Sequence, residues 1–138
     1  MTIATEHEYS INDERFNAVP ISDFIICELS GEIQSEFILN KVSVSRELQK
    51  HVIEIKPETY FLDILTMEKN LYHGLNKLCN SIGRYKLLGL GMHPTISLDK
   101  TTYWNHQDKE IFDAYHKLFN LRQHGWLNIQ ALQINYSY

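Results

Sequence analysis

The stretch KVSVSRELQKHVIEIK, residues 41–56, contains two alternating segments that lie close together in the chain. Apolar and polar side chains alternate in both segments, which is typical of strands that bury one face. We interpret them as strands Lys41–Ser45 and His51–Lys56, and Glu54 falls on the less apolar face of the second. Because a short connection favours antiparallel neighbours, this stretch predicts that the two strands pair antiparallel.

The rest of the chain predicts three further strands and three helices. The strands are Thr5–Ile11, Lys86–Met92 and Trp126–Tyr138. One helix begins at Ser22 with an apolar stripe that reaches Ile33, and the others are Asp63–Ile82 and Asp108–His124. This order of elements favours an α+β fold, a mostly antiparallel sheet with helices packed on one face, in a single domain over residues 1–138.

The composition indicates a globular protein and excludes several functional classes. The formal net charge of -4 and the scattered Lys and Arg residues argue against a nucleic-acid partner, because binding phosphates requires clustered cations. We expect neither secretion nor membrane insertion, because there is no signal-like leader and no long apolar run. Cys27 and Cys79 fall on the apolar sides of predicted helices, which predicts reduced core cysteines and a cytoplasmic location.

Polar side chains on one face of the predicted sheet form a candidate metal site. Alternation places Glu6 and Glu8 on one face of the first strand, and Gln133 and Asn135 on one face of the last. If helices cover the apolar faces, these groups share the open face with Glu54. Carboxylate and amide oxygens are the ligands that Mg²⁺ or Mn²⁺ prefers. Glutamates on an open face are also commonly just hydrated, and spacing alone does not make these strands neighbours.

Four stretches, in order, carry a resemblance to a known family. They are TEHEYSIND, SRELQKHVIEIKP, LLGLGMHP and NIQALQINYSY. They resemble the glutamate–cysteine ligase superfamily, and within it the carboxylate–amine ligase branch of the GCS2 type. The family's E-x-E pair corresponds to Glu6 and Glu8, and its later acidic pair, seven residues apart, corresponds to Glu47 and Glu54. Its Gly-x-His-Pro signature corresponds to the segment that contains His93.

The resemblance implies a glutamine-synthetase-like fold whose open sheet face is the active site. Family enzymes phosphorylate a carboxylate with ATP and then form an amide with an amine, using metal ions held by the sheet glutamates. Carried over to this chain, the metal ligands are Glu6, Glu8, Glu54 and Gln133, and the substrate or nucleotide contacts are Glu47, His93 and Asn135. Glu47 is a possible metal contact as well. Gln133 departs from the pattern, because many relatives have a metal-binding His there.

The chain also departs from the family in length, since it resembles only the N-terminal third of a carboxylate–amine ligase. It lacks a glycine-rich phosphate loop and an arginine cluster. We therefore expect a partial ligase domain that binds Mg²⁺ or Mn²⁺ weakly, holds ATP and small amino-acid substrates only when the full site is completed, and is inactive alone.

Two other interpretations remain open. The chain is alternatively an interaction module that completes its open sheet as a homo-oligomer or with a second polypeptide. A small metal-dependent hydrolase that uses the same carboxylates is a weaker alternative, because nothing in the sequence identifies its nucleophile or base.

Overall fold

The structure, a computed structural model, describes residues 1–137 of the chain. Six strands and four α-helices follow one another, with one short 3-10 helix at Leu98–Lys100. The strands are β1 (Ile3–Asn12), β2 (Glu36–Leu39), β3 (Val42–Arg46), β4 (Val52–Pro57), β5 (Lys86–Leu88) and β6 (Leu132–Tyr136). The helices are α1 (Ser22–Ser30), α2 (Ile64–Ser81), α3 (Lys109–Phe119) and α4 (His124–Leu127). The predicted α+β class is confirmed.

All the strands join one antiparallel sheet, in which β1 pairs with three other strands. The order is β2-β3-β4-β1-β5, and β6 also pairs with β1. On one side β1 pairs with β4. On its other side β1 is divided between two partners, since Ser10–Asn12 pairs with β5 and Ile3–His7 pairs with β6. The predicted antiparallel pairing of the two segments in residues 41–56 is confirmed as β3–β4.

The helices pack on the face of the sheet that carries its aliphatic side chains. Ile11, Val44, Ile53 and Ile55 form the core with residues of α1, α2 and α3. Burying side chains of this kind stabilises the fold by about 1.5–3 kcal/mol for each residue. Helix α2 approaches β3 closely at Gly74, where a Cβ atom would lie 2.3 Å from Cγ2 of Val42. The opposite face of the sheet therefore keeps the polar side chains.

Several element boundaries differ from the predictions. Strand β2 was not predicted, and helix α1 ends at Ser30, so Ile33 lies outside it. Strand β5 stops at Leu88, four residues before the predicted end. The predicted helix from Asp108 to His124 is divided, because α3 ends where Asn120 adopts a left-handed conformation.

The closing strand is shorter than the predicted Trp126–Tyr138. Its N-terminal part contains α4, and β6 begins only at Leu132. Tyr138 lies outside the described residues.

The prediction that both cysteines lie in the core is wrong. Cys79 is exposed and Cys27 is partly buried, and both are free thiols. In α2, Leu78 faces the core, and the next residue points roughly 100° away around the helix axis, toward solvent. None of the helices within residues 1–137 is long and apolar enough to cross a membrane.

Candidate metal centre

The register of the sheet brings two of the predicted metal ligands together. Glu8 of β1 lies directly opposite Glu54 of β4, and Ser45 of β3 lies opposite Glu54 on the other side. Directly opposite residues point to the same side of a sheet. We call this side, which also carries Glu6 and Gln133, the acidic face.

Three carboxylates converge on the acidic face. Glu8, Glu47 and Glu54 each present an oxygen, and these atoms all lie within 4.8 Å of one another. We call this group the carboxylate trio. Glu47 joins from the connection after β3, where the chain leaves the sheet and turns back toward β4. Three such oxygens are suited to a hard divalent cation such as Mg²⁺ or Mn²⁺.

Burial and neighbouring negative charge raise the pKa of two members of the carboxylate trio, Glu47 and Glu8. Burial raises the pKa of Glu47 to about 7, and the charges of Glu8 and Glu54 act in the same direction. Burial also raises the pKa of Glu8, with smaller contributions from Glu54 and Glu6, although the backbone N–H of Ala131 opposes them. Carboxylates crowded together resist ionisation until a positive charge joins them. A bound divalent ion would remove this repulsion.

Glu54 is the most deeply placed member of the carboxylate trio, with 4% of its surface exposed. Its Oε1 accepts a hydrogen bond of 2.7 Å from the hydroxyl of Ser45 and one of 3.0 Å from Nζ of Lys56. A buried carboxylate needs such partners, because an uncompensated charge in the interior is costly. Both donors bond the same oxygen, so Oε2 remains free to ligate.

Glu8 is fixed by the segment that leads into β6. Its Oε2 accepts a hydrogen bond of 2.9 Å from the backbone N–H of Ala131. Its Oε1 accepts a longer bond of 3.4 Å from the side-chain amide of Gln133. Gln133 therefore presents its nitrogen, rather than its carbonyl oxygen, to Glu8, and its assignment as a metal ligand stays a prediction.

Glu6 lies beside the carboxylate trio but is not part of it. It faces Gln133 across the β1–β6 pair, and its Oε1 accepts a hydrogen bond of 2.8 Å from the side-chain amide of Asn135. Glu6 and Asn135 therefore form a polar pair farther along the acidic face. Their predicted roles in binding metal and substrate stay predictions.

His93 is buried and bonded within the fold. Its Nε2 donates to Oδ1 of Asn12 at 2.9 Å and to the carbonyl of Phe16 at 3.2 Å. Its Nδ1 accepts from the backbone N–H of Thr95 at 3.3 Å, and the side chain of Asn128 bonds its backbone N–H and carbonyl. Both ring nitrogens are thus engaged. This placement favours a structural role for His93. Its contact with substrate stays a prediction.

The structure also identifies residues that the sequence analysis did not assign to the site. Ser45 and Lys56 bond Glu54, and Ala131 bonds Glu8. A signal for Lys56 was present, because alternation places it on the same strand face as Glu54. Ala131 acts through its backbone, so no property of its side chain could have indicated it.

The acidic face thus carries a candidate cation site, and sequence comparison gives the family of the chain. The family model described as Glutamate-cysteine ligase family 2 (GCS2) matches residues 2–138, which is essentially the whole chain. The chain belongs to this family, which suggests a ligase-like fold.

A relative from Archaeoglobus fulgidus, described as an uncharacterized protein, is 50% identical over 133 residues. The match covers 96% of this chain and 36% of the relative, so the chain spans about a third of the relative's length.

Proposed function

We propose that this chain supplies the metal-binding part of an ATP-dependent carboxylate–amine ligase of the glutamate–cysteine ligase type. The observation that carries the proposal is the carboxylate trio, Glu8, Glu47 and Glu54, whose oxygens lie within 4.8 Å of one another. Membership of the ligase family supports the same conclusion. Glutamate is the expected acid substrate, and the acceptor is a small amine such as cysteine.

The reaction consists of two transfers. A carboxylate oxygen of the acid attacks the γ-phosphorus of ATP, the bond to the β-phosphate oxygen breaks, and ADP leaves. The amine nitrogen then attacks the acyl carbon, phosphate leaves, and the nitrogen loses a proton as the amide forms. A bound Mg²⁺ or Mn²⁺ supplies charge neutralisation at the phosphates.

The residues of the chain hold the charged groups in place for this chemistry. The carboxylate trio would bind the ion, while the hydroxyl of Ser45 fixes Glu54 and the N–H of Ala131 fixes Glu8. The pair of Glu6 and Asn135 lies next along the face. We assign that pair to a second ion or to the substrate, because it offers a carboxylate and an amide side by side.

Metal binding by the chain tests the proposal directly. Titration with Mn²⁺, followed by electron paramagnetic resonance of the free ion, should show binding of the ion by the wild type. We expect Glu8→Gln to weaken binding by at least about tenfold, because removing one anionic ligand of three removes a major part of the attraction. Glu110→Gln, on the exposed surface of α3, is the matched control. Equal affinity in Glu8→Gln and wild type would overturn the metal site.

Catalysis needs more than these residues, and we propose that the chain does not turn over ATP by itself. The residues described include no arginine cluster or glycine-rich loop to hold a triphosphate. ATP hydrolysis and amide formation should be measured with glutamate and a panel of amines that includes cysteine. Robust turnover by the isolated chain would contradict this part of the proposal.

A second candidate function is self-association through β6. The side chains of Leu132, Ile134 and Tyr136 are 65%, 60% and 64% exposed, and within residues 1–137 β6 pairs with β1 alone. An apolar strand with an unpaired edge favours strand addition. A second copy can meet β6 about a two-fold axis, which would bury the same apolar row in both chains.

Sedimentation velocity at high concentration tests this second candidate. We expect a dimer that Ile134→Lys dissociates, because a charge in the row would be buried on association. Lys69→Glu on the exposed surface of α2 is a control that changes charge elsewhere. A monomer at every concentration would exclude self-association, and binding of a different polypeptide would then be the remaining form of the interaction hypothesis.

A further inference from the structure

Lys56 places a positive charge against the carboxylate trio. Its Nζ lies 3.0 Å from Oε1 of Glu54 and 3.7 Å from Oε1 of Glu36. Of the cationic side chains in residues 1–137, it is the one within 4 Å of a carboxylate of the trio. The ammonium group therefore lies between a buried acid of the candidate metal site and an acid outside that site.

We propose that Lys56 is a resident counter-ion of the metal site, which neutralises Glu54 while no metal is bound and transfers its ion pair to Glu36 when a divalent cation binds Glu54. This inference rests on the proposed function, because it concerns the same carboxylate trio. It adds a residue that competes with the metal, and it assigns a function to Glu36.

The burial of Glu54 explains why a counter-ion is needed. With only 4% of its surface exposed, this carboxylate would be poorly solvated without a charged partner, and one hydroxyl donor does not neutralise it. Lys56 provides the charge through a flexible stem whose head is partly exposed. Burial acts to lower the pKa of Lys56, but the bond to Glu54 and the charges of Glu54, Glu36 and Glu6 raise it overall.

The arrival of a divalent cation changes this balance. A divalent ion at Glu54 satisfies the carboxylate more strongly than a single ammonium, and it repels the ammonium group at short range. Glu36 is the adjacent acceptor. Its side chain is 48% exposed, and it accepts a hydrogen bond from Ser43, which holds it in place. A shift of Nζ toward Glu36 keeps Lys56 paired, so the exchange needs no rearrangement of the strands.

Mn²⁺ affinity in a double-mutant cycle tests the inference on the full chain. Lys56→Gln should bind Mn²⁺ about tenfold more tightly, because the competing cation is gone. Glu36→Gln should bind about threefold more weakly, because the ammonium loses its second acceptor and remains on Glu54. In the double variant, the effect of Glu36→Gln should disappear. This loss distinguishes ion-pair exchange from simple long-range repulsion or attraction, which would persist without Lys56.

Lys109→Gln is the matched control, because Lys109 pairs with Asp113 on α3 and its removal changes the net charge equally. Circular dichroism and urea unfolding establish that each variant is folded. The Mn²⁺ affinity of Lys56→Arg, which retains the charge, should stay within about threefold of the wild-type affinity. This variant keeps the inference testable if Lys56→Gln does not fold.

The outcomes separate the two proposals. Mn²⁺ binding by the wild type with unchanged affinity in Lys56→Gln would overturn the counter-ion role and leave the metal site intact. An effect of Glu36→Gln that persists in the double variant would also overturn the exchange. Absence of Mn²⁺ binding in every protein, the wild type included, would overturn the proposed metal site and the inference together.

Discussion

Replacing Glu47 by Gln should stabilise the metal-free protein at alkaline pH. Glu47 is the member of the carboxylate trio that joins from the connection after β3, and burial together with two neighbouring acids raises its pKa to about 7. Above that pH the Glu47 carboxylate carries a negative charge beside two other acidic side chains. Glutamine has a similar shape and no charge, so the variant escapes this repulsion.

The sign and the size of the effect follow from proton linkage. In the unfolded chain the pKa of Glu47 is near the ordinary glutamate value of 4.5, and in the folded protein it is about 7. Below about pH 4.5 both states are protonated and Glu47 has no effect. Between these values the folded state binds more protons, so stability falls as pH rises. Above about pH 7 the full penalty of roughly 3 kcal/mol is reached.

A saturating metal ion should narrow the stability difference between the two proteins. The wild type gains free energy by binding the ion, about 2.7 kcal/mol at a concentration 100 times its Kd. The variant has lost an anionic ligand and gains less. Glu47 therefore lowers the stability of the empty fold, and metal binding recovers part of that loss, which is expected of a ligand at a functional site.

Urea unfolding at about pH 4.5 and about pH 8.5, each with EDTA or with excess Mn²⁺, measures these effects. In EDTA at the higher pH, we expect Glu47→Gln to be about 2 kcal/mol more stable than the wild type, the remainder of the penalty being offset by weaker hydrogen bonding of the amide. Near pH 4.5 the two proteins should differ little. A variant that is equally or less stable at the higher pH in EDTA would refute the reasoning. Glu110→Gln is the control for a surface charge.

Three further predictions concern stability. Gly74→Ala should destabilise the fold by about 1–2 kcal/mol in urea unfolding, because the added Cβ would overlap buried Val42. The control is Asn76→Ala, at an exposed position of the same helix, which should be neutral or stabilising. Equal effects of the two substitutions on stability would exclude the packing explanation. His51 is buried, and its pKa is lowered to about 4 by burial and by the nearby charge of His93. The unfolded chain binds a proton at His51 more readily than the folded protein, so stability falls by roughly 3 kcal/mol as pH falls from about 6.5 toward about 4. His51→Leu should therefore flatten the acid side of the plot of unfolding free energy against pH. An unchanged slope would contradict this. Asp63→Ala should cost about 1 kcal/mol in thermal unfolding, because Asp63 accepts from the N–H groups of Leu65 and Thr66 at the start of α2, and an unchanged Tm would exclude the cap.

Strand β2 shows where sequence patterns give too little information. The strand reads EFIL, which has three apolar residues in a row and no clear alternation. Its turn into β3 uses Asn40 and Lys41, both with positive φ. Turns of this kind are usually recognised by a glycine, as in Asn-Gly, and this one has none. The neighbouring β3 and β4 alternate clearly, and both were predicted.

The same contrast applies to the site. Alternation placed Glu8 and Glu54 on one face, and the sheet register makes them direct neighbours. Glu47 lies in a connection, and periodicity does not describe the path of a connection, so its convergence with the other two could not be predicted from spacing. Glu6 was expected to share their metal. It lies two residues from Glu8 along an extended strand, a displacement of roughly 6.8 Å.

The bond between Glu8 and residue 131 has a consequence for how freely this site can change. The donor is the main-chain N–H of Ala131, a group that every amino acid except proline carries. Substitutions at position 131 can therefore alter size and polarity while this donor remains. Glu54, in contrast, is held by the side-chain hydroxyl of Ser45. Glu8 is therefore held by a main-chain group, whereas Glu54 is held by a side chain. The tolerance to mutation should differ sharply between the residues that contact Glu8 and those that contact Glu54.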